Sequence, residues 1–488
     1  MSRRTLLALG TLMCLQGCDL APPYHPPTVA VPTAFKEDAN GPWRLAKPAD
    51  DTLRGPWWSQ FGDPELNRLE GMIDTSNPGL AAAVARYDEA RALAAEANAG
   101  LLPSLNFNGS YNKNRQSEHK PLRSSTQPNY FNTEQVGLSA GYELDFWGKL
   151  RNTATSGEAS AQASAADLAT ARLGLHTELL LDFMTLRSLD QRAKVLSDTV
   201  ANYGRALDLT QSRFEGHIAS GIDVARAQTQ LDTAKAAVSD TAARRAQIEH
   251  AIAALVGQPA SSFSLPASTT DMAMPVIPAG LPSTLLQRRP DVAAAERRVF
   301  AANANIGVAR AAFYPSFTIT GNAGLQSTRM DQLLMLPSSV WTIGPNVNLP
   351  LFEGGRLNAE EARTYARQRE VGADYRQTVL TAFREVEDNL STIHWLGIEA
   401  KDETSAEDAA QRTVDMATNL YQAGADSYLD VVTAQTALLE VELTVIDIKT
   451  RRLQADGSLV KALGGGWQPG DLPQGDALTA LPPLKTDS

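Results

Sequence analysis

The chain has 488 residues, a formal net charge of −11 and two cysteines, Cys14 and Cys18. An acidic chain with scattered basic residues excludes a nucleic-acid groove. So few cysteines exclude a disulfide core and a thiolate metal site.

The chain opens with an export leader. Arg3 and Arg4 form its charged region and residues 5–15 its apolar core. Leu15-Gln16-Gly17-Cys18 has the form of a bacterial lipoprotein cleavage site. This predicts removal of residues 1–17 and a covalent lipid, palmitate among its acyl chains, on Cys18. A plain leader with an incidental cysteine is the alternative, since Gln16 is unusual at its place. Loss of the two arginines takes the charge from −11 to −13. No run of about 18 apolar residues follows, so no transmembrane helix is expected.

Residues 18–60 form an extended segment rich in proline, among them Pro22, Pro23, Pro26 and Pro27. Residues 61–102 hold the first helices. Asp63 caps and Pro64 opens a short one reaching Asp74. Residues 78–101 make an alanine-rich one, ended by Pro103. At 103–147 the hydrophobic period switches to two. The odd positions of residues 105–111 are mostly apolar. Residues 113–133 read as a polar loop. Val136, Leu138, Ala140, Tyr142, Leu144 and Phe146 then alternate with Gly137, Ser139, Gly141, Glu143 and Asp145. Residues 148–257 form a long helical hairpin, proline-free over 148–214, with a return helix at 222–256.

After a connector at 258–289 the plan repeats. A helix at 290–312 leads to a second strand pair at 313–352, with a far loop at 326–337. There Phe317 and Ile319 alternate with Thr318 and Thr320. Trp341, Ile343, Val347 and Leu349 alternate with Thr342, Gly344, Asn346 and Asn348. A second long hairpin fills 353–464, with helices at 355–422 and 428–463, and a tail occupies 465–488. At 1.5 Å per residue each long helix would reach roughly 100 Å. A 24-residue helix stacked on a return helix would about match it in length.

The repetition is visible residue by residue. Residues 78–109 align with 290–321 at an offset of 212, matching Pro78, Arg86, Pro103, Ser104 and Gly109 to Pro290, Arg298, Pro315, Ser316 and Gly321. Residues 203–257 align with 410–464 at an offset of 207, matching Asp223, Val224, Ala227 and Gln228 to Asp430, Val431, Ala434 and Gln435. So long a period is a duplicated half-protein, not a solenoid unit. Each return helix carries a stripe spaced alternately 4 and 3: Ala227, Leu231, Ala234, Val238 and Thr241 in one, Ala434, Leu438, Val441, Val445 and Ile448 in the other. Such a stripe suits helix-on-helix packing.

Strands of about 10 residues suit a tilted bilayer crossing, and a half-buried soluble sheet gives the same alternation. A bilayer tolerates no open sheet edge, and a closed barrel needs about eight strands. In the membrane reading the four strands of one chain must therefore share a barrel with other copies. Three copies would supply twelve.

Several stretches together resemble the outer-membrane factors of tripartite efflux pumps, the TolC/OprM type, and its lipoprotein branch in particular. They are Trp57-Trp58 with Phe61-x-Asp63-Pro64-x-Leu66, Arg288-Arg289-Pro290-Asp291 with Ala295-Glu296, Asn305-Ile306-Gly307-Val308-Ala309, Phe313-Tyr314-Pro315-Ser316, and residues 350–357, PLFEGGRL. The resemblance implies an internally duplicated α+β membrane protein. It implies a homotrimer with a shared 12-stranded β-barrel, a periplasmic α-helical tunnel, a periplasmic adaptor protein and an inner-membrane pump of the RND type. The place would be the cell outer membrane, lipid-anchored. Asp19, behind the lipid-bearing cysteine, departs from the pattern expected of outer-membrane lipoproteins in some enteric bacteria.

No catalytic constellation, phosphate loop or metal spacing such as H-E-x-x-H appears, so no enzyme and no cofactor beyond the lipid is expected. The informative polar sites are the two hairpin tips, residues 214–223 and 420–430. Gly216, Ser220, Gly424 and Ser427 are adaptor-docking candidates by the resemblance. Asp426, with Tyr421 and Tyr428 beside it, falls where the family places its periplasmic aperture. A ring of such carboxylates would select for cations. Asp223 and Asp430 read instead as helix N-caps. The expected function is a passive exit duct for small molecules. A duct for secreted polypeptides needs the same tube, and a coiled-coil envelope lipoprotein would have no use for strands.

Overall fold

The computed structural model describes residues 18–37 and 55–481, except 120, 122, 123, 125, 276 and 278–286. The leader at 1–17 lies outside the described residues. Helices alternate with strands in the duplicated order: α1 Pro64–Ser76, α2 Pro78–Ala99, β1 Ser104–Arg115, β2 Tyr130–Leu144, α3 Lys149–Glu215 and α4 Gly221–Leu255. Then come α5 Pro290–Ala311, β3 Ser316–Ser327, β4 Ser339–Asn348, α6 Arg356–Ala423 and α7 Tyr428–Ala462. As expected, Asp63 caps α1, its carboxylate accepting from the backbone N–H groups of Glu65 and Leu66 at 2.8 and 3.2 Å.

The long helices α3 and α6 have 67 and 68 residues. The return helices have 35 each and α2 and α5 have 22 each. Joints hold the shorter helices end to end. The Asn77 side chain donates to the carbonyl of Leu255 at 2.7 Å, locking the end of α4 against the start of α2. Arg289 donates to the carbonyl of Ala462 at 3.0 Å, locking α7 against α5. Both joints need glycine. Gly257 (φ 71°) and Gly464 (φ 93°) are left-handed, and a Cβ there would lie 2.1 and 2.0 Å from the backbone oxygens of Ser76 and Arg288.

The four strands form one antiparallel sheet in the order β1-β2-β3-β4. Its register sorts the residues into rows. Phe107, Leu138, Ala323 and Trp341 lie side by side, and the next row along is Asn108, Gly137, Gly324 and Val340. Opposed residues share a face, so the sheet has a mainly apolar and a mainly polar face. The apolar face is bare: Phe107 and Trp341 are 74% and 76% exposed.

Two boundaries differ from expectation. The polar loop expected at 113–133 shrinks to 116–129, because the strands continue past the apolar alternation. Asn114 donates to the Thr133 hydroxyl at 2.9 Å, and Gln116 N to the Asn129 carbonyl at 2.9 Å, so polar ladder contacts carry the pair outward. Phe146 and Leu349, read as strand residues, lie just past the ends of β2 and β4. Phe146 instead meets Phe317 edge to face, ring centres 5.2 Å apart.

The main core lies where both halves meet. Phe61, Leu66, Leu69 and Ile73 pack with Leu179, Leu180, Phe183 and Leu186 of α3, Val379 and Val386 of α6, and Leu459 of α7. Arg187, Asp190 and Arg245 form a buried ionic link nearby. Arg245 Nε lies 2.7 Å from Asp190, whose other oxygen accepts from Ser268 N at 2.9 Å. None of the described helices is long and apolar enough to cross a membrane.

Candidate functional site: the hairpin tips and the anchored N-terminus

At the first tip α3 ends at Glu215, and the N–H groups of Ile218 and Ala219 return to the Arg213 carbonyl at 2.8 and 3.1 Å. The left-handed residue is His217 (φ 59°), while Gly216 has an ordinary φ of −78°. The 207-residue offset pairs His217 with Gly424, which is left-handed at φ 75° and closes α6. There Gly424 N and Ala425 N donate to the carbonyls of Tyr421 and Leu420, satisfying the helix end.

The two serines, not the aspartates, are the N-cap residues. Ser220 accepts from Asp223 N and Asp223 accepts in return from Ser220 N, a capping box. Ser427 makes no such cap bond with its side chain; its hydroxyl donates to Asp430 at 2.6 Å. The hydroxyl of Ser427 beside Asp430 holds that carboxyl below its usual range. Asp426 is exposed, and one of its oxygens accepts from Ser427 N at 2.8 Å.

Tyr421 and Tyr428 are both buried, with ring centres 5.2 Å apart. They pack with Ala227, Ala417, Val431 and Ala434, which joins the two hairpins. Burial, with Tyr421 beside it, pushes the Tyr428 phenol up to about 12. The sequence reading missed Arg213. Its guanidinium donates to the carbonyls of Tyr421 and Gln422, both at 2.7 Å, and lies 4.5 Å from the Tyr421 ring centre. One hairpin thus caps the helix end of the other. The repeat held the signal, because Arg213 pairs by offset with Leu420, a change of charge within matching surroundings.

Cys18, at the other end, is exposed. The segment behind it runs without regular structure along α5. Asp19 accepts from Ala21 N at 2.9 Å and from the Asn152 amide at 2.8 Å. Leu20 and Pro22 carbonyls accept from Arg310 and Asn303, and Tyr24 donates to Glu296. A Cβ on Gly307 would lie 2.6 Å from Asn152 and 2.9 Å from Ala21, so that glycine makes room for the strap. Among the described residues no cluster of His, Cys, Asp or Glu could hold a metal.

Two helical hairpins with joined tips, a sheet with one apolar face and a tethered N-terminus describe a wall. The sequence model of the family "Outer membrane efflux protein" matches residues 72–258 and 281–465, once in each half. The chain belongs to this family. This efflux protein is 31% identical over 472 residues to the pyoverdine export outer membrane protein OpmQ of Pseudomonas aeruginosa, covering 96% of this chain and 98% of OpmQ. It is 30% identical to the cation efflux system protein CusC of Escherichia coli O6:H1, covering 96% of this chain and all of CusC. The solved outer-membrane channel OprN superposes with a TM-score of 0.86 at 27% identity, covering 93% of this chain and 100% of that one. The efflux protein resides in the outer membrane and serves as an exit duct of an efflux system.

Proposed function

We propose that three copies close one twelve-stranded barrel and one helical tunnel, and that the duct passes small molecules delivered by an inner-membrane pump of the RND type through a periplasmic adaptor. The open sheet carries this reading. Each chain offers four strands with two unpaired edges and a bare apolar face. In hydrocarbon each unpaired backbone group costs several kcal/mol, and only closure with further copies removes the edges. The helical hairpins then extend away from the membrane, and their tips converge at the far end. Asp426, Tyr421 and Tyr428 form the aperture there. Gly216, Ser220, Gly424 and Ser427 present the docking surface for the adaptor.

Cys18 bears the lipid, and the strap behind it fixes the anchor beside the base of the sheet. Pyoverdine and cations in the relatives' names favour small molecules over secreted polypeptides as cargo. Cargo of such different chemistry also suits a passive duct whose selectivity lies in the pump. Native mass measurement of the full chain in lipid nanodiscs tests the assembly. Three copies per particle are expected, and a particle holding one chain overturns the reading.

A further inference from the structure

We propose that the cavity between the two helical hairpins is a binding site for a small organic cation bearing an aromatic ring. The cavity measures about 500 Å³ and lies between α3, α6 and α7 above the tips. That volume is within the range of sites for small molecules. Tyr203, Tyr421 and Tyr428 give it aromatic walls. Electron-rich ring faces attract cations, most strongly where water is scarce.

The polar groups of the lining decide the ligand's charge. Asp198, Asp415 and Glu442 oppose a single guanidinium, Arg205. Arg205 is turned to the side chain of Asn202, Asp198 is held by Lys194, and Asp415 accepts from Gln411 at 3.0 Å. Glu442 has no such partner among the described residues. It is half-buried, and burial together with the charges of Glu407 and Asp198 pushes its carboxyl up. A bound cation would relieve that repulsion.

Two further groups have unused capacity. Tyr421 is only 7% exposed, and its hydroxyl has no hydrogen-bond partner. The amide oxygen of Gln435 is also buried and unpartnered. A carboxylate, an amide oxygen and a phenol all accept, so the complementary ligand donates hydrogen bonds or carries positive charge. One aromatic ring joined to an ammonium group matches both the walls and the acceptors.

The site shares Tyr421 and Tyr428 with the proposed aperture, but its test reads binding, not conductance. The full chain in lipid nanodiscs is titrated with benzyltrimethylammonium by calorimetry, with N-benzylacetamide as the neutral comparison. Saturable binding of the cation and none of the amide is expected. Glu442→Gln should weaken the affinity about tenfold, the scale of one desolvated charge contact. Asp208→Asn removes an exposed carboxylate of α3 outside the cavity and should leave the affinity unchanged. Equal binding of the amide, an unaffected Glu442→Gln with native thermal stability, or equal loss in Asp208→Asn would each overturn the proposal. If Glu442→Gln fails to assemble, Tyr203→Leu is the second variant, with the same expected loss.

Discussion

At the scale of single residues, buried ionisable groups decide how the protein responds to pH. Glu70 of α1 is fully buried, and one of its oxygens lies 2.7 Å from Nδ1 of His176 on α3. Its other oxygen and Nε2 of His176 have no hydrogen-bond partner, although Nε2 lies 3.4 Å from Asp74. Burial raises the Glu70 carboxyl from 4.5 to about 7, with His176 only partly offsetting it. A raised acid holds its proton in the folded state, so its stabilising effect is full below pH 4.5 and is lost as the pH rises through 7. Glu70→Gln cannot ionise. Its thermal stability should therefore gain on the parent between pH 5 and pH 8, by up to the order of 3 kcal/mol. A gap that stays constant with pH would show that Glu70 ionises freely. At the tip, Asp426→Ala should reduce cation selectivity and alter conductance in planar bilayers, because it removes the proposed ring of exposed carboxylates without loss of packing. Unchanged conductance, with Glu215→Ala active instead, would move the aperture to the first hairpin.

At the scale of elements, the strands test which solvent each face meets. Leu138 and Ser139 are neighbours on β2 that point to opposite faces. Leu138 shares its row with Phe107 and Trp341, and Ser139 accepts from the Asn108 amide at 2.7 Å on the other face. An arginine on a lipid-facing site near the midplane costs about 2–4 kcal/mol, whereas a lumen-facing one is tolerated. Leu138→Arg should thus lower heat-resistant, membrane-inserted protein on gels, and Ser139→Arg should not. The reverse ranking would put the polar face toward lipid. The alternation that fixes these faces was readable in the chain itself. The outer parts of β1 and β2 were not, since Asn112, Asn114 and Thr133 carry no apolar signal and pair only because the ladder continues past them. The helices were the clearest elements, because proline-free runs of such length leave few alternatives and each end has a glycine or a cap.

At the scale of the whole molecule, assembly and folding should be inseparable. A lone chain leaves two sheet edges and an apolar face uncovered. Unfolding of the detergent-solubilised protein should accordingly shift to higher temperature as its concentration rises, which calorimetry over a wide dilution series would detect. A midpoint independent of concentration would indicate a self-sufficient chain. The sequence by itself determined the duplication, the order of helices and strands, the two-faced sheet and the tips as turning points. These follow from periodicity, proline and glycine, which act over a few residues. Only the tertiary structure revealed the clamp of Arg213 on the opposite helix end, the Glu70–His176 pair, the lock of Asp19 on Asn152 and the cavity beneath Glu442. The joined residues stand 106 positions apart for Glu70 and His176, 133 for Asp19 and Asn152, 208 for Arg213 and Tyr421, and 239 for Tyr203 and Glu442. Local patterning has no reach over such separations, because side-chain partners are chosen by how the two halves pack.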